Sequence, residues 1–517
     1  MPHTPEASHS GQEIRRSATD LRARWCAVTA VVLLVVATVL YWAYTVHVGR
    51  SARLGVDEVF TTWMIQTPGI KHSLTLGADS EPPGFYWIVG GICKLFGYSY
   101  LSLRAIAMVG FFGFLVAVFF TVRRYANTTI AAIAAMLPLM TSAQTADLFA
   151  RPHALMMTCF ALLCLIWTSD ESDTPPWRNA VAITLVLWLD LSVHFYSVIF
   201  VPVLLLMEAV WTVEHRRIRW RYWLATAAGM GILLAWLPVI VPVYKATHGS
   251  SKSAGYYAKP NLMAMLLRVR EIVVSPGIML IVVGIGAAAG ALYLWRRWKG
   301  QTVAVQERHT GGRLPLLAYA SFAIPLVTFA FAVLVTGVFN ERYVWACVLG
   351  VSATTACLLK RLRLGPAWEL AVLVFVVGLF ARDVRMVFKT PQTADSPVDA
   401  LISGAPGDGP VVVPGSNWYW IQGSPDARTR ARATYVLAPP DAPDPDSEHG
   451  RIAAAWHTLR PELPITDAAS FFATHPRFYL LTVGDPGEGM TAYIQAHYNT
   501  REIREEGTAR LLEVERR

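Results

Sequence analysis

The sequence predicts a polytopic α-helical membrane protein carrying a small α/β domain at its C-terminal end. Of its 517 residues, 54% are hydrophobic and only 16% charged, with a mean hydropathy of +0.39, a balance that soluble domains seldom reach. Apolar runs of roughly 18–25 residues recur along the first three quarters of the chain, long enough to cross a bilayer as helices. From Thr390 onward the composition changes to Pro, Gly, Asp and Arg around short apolar segments.

The net charge of +9 does not point to nucleic acid. The basic residues gather in short loops between apolar runs, as the positive-inside rule distributes them. The six cysteines are Cys26, Cys93, Cys159, Cys164, Cys347 and Cys357. They lie in or beside apolar segments without a CxxC pair and read as small buried hydrophobes, not as a disulfide or zinc framework.

Residues 1–24 are polar, with Arg15, Arg16, Arg22 and Arg24, and read as a cytoplasmic tail. The apolar run beginning at Trp25 ends in Tyr41-Trp42-Ala43-Tyr44, which is aromatic where a cleavable signal would have small residues, so it is an anchor. An external loop over 48–100 follows, and within it the short aromatic stretch to Phe96 predicts an interfacial helix. Later spans are expected at 101–122, 128–146, 151–168, 178–193, 196–213, 223–244, 272–295, 314–337, 342–359 and 367–387. That makes about eleven transmembrane helices, which puts residues 388–517 outside. The inner loops carry His215-Arg216-Arg217-Ile218-Arg219-Trp220-Arg221, Arg296-Arg297-Trp298-Lys299 and Lys360-Arg361-Leu362-Arg363. In the last domain, strands are expected at 411–414, 478–483 and 510–514, with helices at 467–475 and 490–498.

The polar residues converge once this topology is drawn. Asp57, Glu58, Glu81, Asp147, Arg151, His153, His194, Tyr196, Lys245, Glu341 and Arg342 all fall at external span ends or in external loops. Taken singly, each has a bland explanation: Asp57 and Glu58 suit a first helical turn, and Asp147 with Arg151 suits an i,i+4 pair. Together they place acids and bases from distant segments on one membrane face, where charge is costly unless paired or used.

Several motifs resemble a known family: Asp57-Glu58 after the first span, Glu81-Pro82-Pro83-Gly84-Phe85-Tyr86-Trp87, Ala150-Arg151-Pro152-His153-Ala154-Leu155, Ser192-Val193-His194-Phe195-Tyr196, Ala235-Trp236-Leu237-Pro238 and Glu341-Arg342-Tyr343. In order and spacing the chain resembles the polytopic glycosyltransferases of the C-type fold, the group of the protein O-mannosyltransferases and the bacterial lipid A aminoarabinose transferases. The resemblance implies a polyprenyl-phosphate-linked sugar as donor, a glycan, lipid or protein acceptor, and reaction on the external face of the plasma membrane. Relatives often carry an acid two residues before the arginine of the Ala-Arg-Pro motif. Phe149 stands there in this chain, which leaves Asp147 and Glu81 as candidates for the second acid.

The residue types suit that chemistry. Asp57, beside Glu58, can act as general base towards an acceptor hydroxyl. Arg342, Arg151, His194 and Lys245 can face a lipid phosphate whose charge grows as it leaves. Trp63, Tyr86 and Tyr196 can stack on sugars, although an interfacial aromatic belt explains each equally well. One base opposite a phosphate leaving group implies inverting displacement. Oxygen-rich ligands would suit Mg²⁺ or Mn²⁺, yet no spacing demands a metal. The alternative class is a transporter or flippase, which calls for polar residues near the bilayer midplane and repeated halves. The charges at span ends and the lack of a repeat favour the transferase.

Overall fold

A computed structural model of the chain describes all residues except 1–6, 171–173, 252–257, 276, 285, 288–289, 291–312, 390–396, 443–447 and 484–488. Among the described residues, six helices are long and apolar enough to cross a membrane: Arg24–Ser51, Tyr100–Arg123, Phe195–His215, Trp220–Lys245, Arg313–Thr336 and Glu341–Leu362. Helices Thr128–Met140, His153–Thr168, Trp177–Val193 and Pro366–Lys389 occupy further expected spans. The expected span 272–295 and the inner loop 296–299 fall wholly or partly outside the described residues.

The elements differ from expectation where local chemistry intervenes. The first helix begins at Ala7, so the polar N-terminal stretch continues it. The expected span 128–146 is shorter. Its α-helix ends at Met136, and a 3₁₀ turn over Leu137–Met140 contains Pro138, which has no N–H to carry the ladder on. A second 3₁₀ segment, Ser142–Leu148, then delivers the chain to Arg151. The 195–215 and 341–362 helices both begin with 3₁₀ turns at the end that carries His194 and Arg342.

Between the first two long helices lie Val56–Gln66, Ile70–Thr75 and Pro83–Phe96. Glu58 folds back on the start of Val56–Gln66, accepting the Gly55 amide at 2.8 Å, and so satisfies an amide that a helix start leaves unpaired. Pro83–Phe96 lies against Trp177–Val193 so closely that a Cβ on Gly84 would come within 2.4 Å of the Ser192 carbonyl oxygen. Only glycine fits there.

The C-terminal domain is one six-stranded sheet in the order β3-β2-β1-β4-β6-β5. The strands are β1 (Val411–Val412), β2 (Ala433–Leu437), β3 (Ile465–Asp467), β4 (Arg477–Val483), β5 (Tyr498–Glu506) and β6 (Ala509–Arg516). The first four run parallel, and β6 and β5 close the sheet antiparallel. β1, β4 and β6 coincide with strands expected from sequence. β5 does not: it is charged and exposed along most of its length, so it lacks the apolar alternation that marks a strand.

This domain docks on the back of Val56–Gln66. Trp63 is buried among Trp418, Tyr419 and Trp456, with ring centroids 5.6, 6.2 and 5.2 Å away. Arg53 pairs with Asp399 at 2.7 Å and donates to the Trp420 carbonyl. Gly423 meets the Leu54 carbonyl, which a Cβ would approach to 2.2 Å.

Candidate active site

Six separate chain segments build a polar cluster at the start of Val56–Gln66. At its base Glu58 is 1% exposed and joined to Arg104 through two hydrogen bonds, 2.7 Å from Nε and 2.8 Å from Nη2. Its Oε1 also accepts the Ala150 amide at 2.8 Å. Arg104 donates in addition to the carbonyls of Gly49, Ala52 and Arg53. A buried ion pair is worth its desolvation only when its remaining hydrogen-bonding capacity is filled. Here it is filled, and the pair ties the end of the first long helix to the loop that carries Arg151.

Above it Arg151 faces three carboxyl-bearing residues. Its Nη1 and Nη2 lie 2.8 and 3.2 Å from the two oxygens of Asp79, Nη2 lies 3.5 Å from Glu81, and Nη1 lies 3.5 Å from the Asp57 backbone carbonyl. Glu81 also lies 3.5 Å from His194 Nδ1. That contact joins neutral groups at neutral pH. Burial, reinforced by Asp79 and Asp57 against the pull of Arg151, raises the Glu81 carboxyl to about 8. Burial and then Arg151 lower His194 to about 3. His194 Nδ1 accepts the Tyr196 amide at 3.1 Å, which places the ring proton on Nε2. That nitrogen is buried and has no partner among the described residues.

Asp57 differs from the other acids. Its side chain is 36% exposed, against 1% for Glu58, 4% for Asp79 and 7% for Glu81. It pairs with Arg342, whose guanidinium also lies 5.2 Å from the Phe149 ring centre. Burial alone would raise the Asp57 carboxyl, but Arg151 and Arg342 outweigh it and hold the group below the usual carboxylate range. Tyr343 stacks on Tyr196 at 3.8 Å, with His153 and His194 at its edges.

Residues 80–242 match the sequence profile of the dolichyl-phosphate-mannose-protein mannosyltransferase family. No curated protein matches the chain. Among solved structures, it aligns with ArnT from Cupriavidus metallidurans bound to undecaprenyl phosphate and with the same protein in the apo state. Each alignment has a TM-score of 0.57 at 12% identity and covers 93% of this chain and 97% of ArnT. A weaker likeness, TM-score 0.45 at 12% identity over 87% of this chain and 69% of the other, is to the oligosaccharyltransferase AglB of Archaeoglobus fulgidus in complex with an inhibitory peptide and a dolichol-phosphate. The chain has the fold of the C-type glycosyltransferases.

Within this C-type fold, Asp57, Glu81, Arg151, His194 and Arg342 come together as one cluster. Glu58 lies directly beneath Asp57 but faces Arg104, so its carboxylate is not presented alongside that of Asp57. Tyr196 is adjacent, yet its hydroxyl donates to the Val338 carbonyl. Tyr86 is fully buried below the surface. Trp63 is turned away into the C-terminal domain, because its indole completes an apolar interface there. Lys245 is exposed near the end of Ile232–Ser251, and no hydrogen bond or ion pair joins it to the cluster among the described residues. The backbone of Asp147 lies in the Ser142–Leu148 turn, and its side chain is outside the described residues. No group of three or more His, Cys, Asp or Glu is arranged to hold a metal among the described residues.

Two members have no counterpart in the sequence reading. Asp79 precedes Glu81 by two residues in a loop where no periodicity marks it, and Arg104 is the one charge within an apolar helix that is otherwise charged only at its last residue, Arg123. The signal for Arg104 is that loneliness, since an unpaired charge in such a helix demands a buried acid.

Proposed function

We propose that the chain is a membrane glycosyltransferase that moves a sugar from a polyprenyl-phosphate donor to a hydroxyl of an envelope glycan, lipid or protein, with Asp57 as the general base. The observation that carries this reading is the half-buried Asp57–Arg342 pair at the meeting point of six chain segments. Asp57 takes the acceptor proton as the acceptor oxygen bonds to the anomeric carbon. The bond from that carbon to the phosphate oxygen breaks, and the electron pair leaves with the polyprenyl phosphate. Attack opposite the leaving group inverts the anomeric centre.

The Asp57–Arg342 pair suits this sequence of events. The planar fork of an arginine pairs with two phosphate oxygens at once, and the donor phosphodiester gains a second negative charge as it leaves. When the donor phosphate draws Arg342 to itself, Asp57 loses a cation that depresses its pKa and becomes the stronger base. His194 Nε2–H is the second donor left for the phosphate or the sugar. Arg151 stays with Asp79 and Glu81 and supplies fixed positive charge behind the site. Two guanidiniums thus place positive charge beside the departing phosphate. The ArnT structure with undecaprenyl phosphate supports a donor of this lipid class.

The test is to incubate the purified protein with a polyprenyl-phosphate sugar and an envelope extract, then measure free polyprenyl phosphate and glycosylated product. One-to-one release with an inverted linkage is expected. Sugar movement across a vesicle without polyprenyl phosphate release would instead identify a transporter. Comparing envelope glycans by mass with and without the protein would name the sugar and acceptor.

A further inference from the structure

The opposite end of the helix bundle contains an open surface depression of about 490 Å³, whose four basic side chains are exposed. The helix Tyr100–Arg123 connects the two ends: Arg104 near its start belongs to the Asp57 cluster, and Arg123 at its end lines the depression. Its 24 residues rise by roughly 35 Å at 1.5 Å each, about a bilayer core.

Four cations line this depression, Arg123, Arg124, Lys360 and Arg363, against one carboxylate, Glu369. That carboxylate is turned onto Asn127, whose Nδ2 donates to it at 2.6 Å. Arg123, Arg124 and Lys360 have no ion-pair partner among the described residues, and the bond that Arg123 makes is to the carbonyl of Ala126 in its own turn. Two helices start at the wall, Thr128–Met136 after its cap Asn127 and Pro366–Lys389 after Gly365. Helix N-termini add amide donors and positive partial charge. Basic side chains placed merely to orient a membrane protein need no shared depression, whereas cations and helix starts around one concavity match phosphate.

We propose that this depression is a phosphate-binding site distinct from the Asp57 cluster, taking either the head of an anionic phospholipid or a small free phosphate. By the pattern of basic loops it opens on the inner face. Bound there, the phosphate bridges the loop at 123–127 and the loop at 360–365, which belong to sequence-distant helices.

The test uses the full-length protein in two preparations. In neutral detergent it is titrated with inorganic pyrophosphate; in nanodiscs with and without phosphatidylglycerol, retained lipid is read by native mass spectrometry. Arg124→Gln with Lys360→Gln should weaken binding by roughly thirtyfold, from about fivefold per cation near a membrane surface. Ala126→Trp puts a bulky ring into the depression without changing charge and should weaken binding, so it carries the test if the double charge variant inserts poorly. Arg216→Gln with Arg217→Gln removes the same charge from another basic loop and should leave binding within about twofold, as for isolated surface charges. Sugar transfer should persist in every variant. Pyrophosphate binding without retained lipid identifies a small phosphate, and the reverse identifies a lipid head. Equal weakening in the Arg216/Arg217 variant, unchanged binding in Ala126→Trp, or no binding of either probe by the wild type would overturn the proposal.

Discussion

Asp57 and Glu58 are adjacent on one helical turn, yet one keeps 36% of its side chain exposed and the other 1%. The neighbour of each explains the difference, since Arg342 is itself 27% exposed whereas Arg104 is buried. Asp57→Asn preserves size and helix-start character but cannot accept a proton, so transfer should fall by about 10²–10⁴-fold with donor binding retained. Near-normal transfer by this variant would remove Asp57 from the base role. Glu81 gives a pH prediction. Its folded-state pKa of about 8 lies above the ordinary value of 4.5. Its contribution to stability is therefore full below 4.5 and lost as pH rises through about 8. Glu81→Gln should flatten that loss, so thermal unfolding from pH 5 to 8.5 should fall more steeply for wild type than for the variant. Parallel curves would mean that Glu81 is charged in the folded protein.

The helix Val56–Gln66 is shared between two cores. Its first turn carries the polar cluster, while Phe60 and Trp63 on its other side pack into the C-terminal domain. The domain therefore has a mechanical role open to measurement. Trp63→Ala removes a buried aromatic and should cost about 3–5 kcal/mol of the interface, detected as faster proteolysis after residue 389 and reduced transfer. Proteolysis at the wild-type rate would mean that Arg53, Asp399 and Gly423 hold the domain without it. The Arg104–Glu58 pair works at the same scale, because Arg104 also binds three carbonyls at the end of the first long helix. Arg104→Ala would leave Glu58 buried and unpaired, a loss of about 3–5 kcal/mol that should appear as lower thermal stability in detergent.

Across the whole molecule, the Asp57 cluster and the basic depression occupy opposite ends of the bundle. On the topology expected from the alternating basic loops, the former faces outside. Ser80 and Ser416 are both exposed and offer the check: a cysteine at either should react with an impermeant thiol reagent in intact cells. Labelling of Ser416→Cys only after permeabilisation would put the C-terminal domain inside and overturn the external site. Endogenous thiols interfere little, since Cys93, Cys159, Cys164 and Cys347 are buried.

Much of the protein is legible in the chain because its main signals are local. Apolar length reads out the helices without reference to neighbours, and so does the composition change that starts the C-terminal domain. Asp57, Arg151, His194 and Arg342 could be gathered on one face because alternation of spans is a topological rule that needs no coordinates. What needed the folded molecule was every question of direction. Asp57 and Glu58 are equivalent in sequence, and only the position of Arg104 makes one a buried strut. Trp63 reads equally as a sugar platform or as core until the docked domain covers it. Asp79 and strand β5 carry no pattern, since a loop acid and a charged edge strand owe their places to partners distant in sequence. Periodicity reports how much of a residue is buried, but which group it meets there is decided by contacts between segments that the sequence keeps far apart.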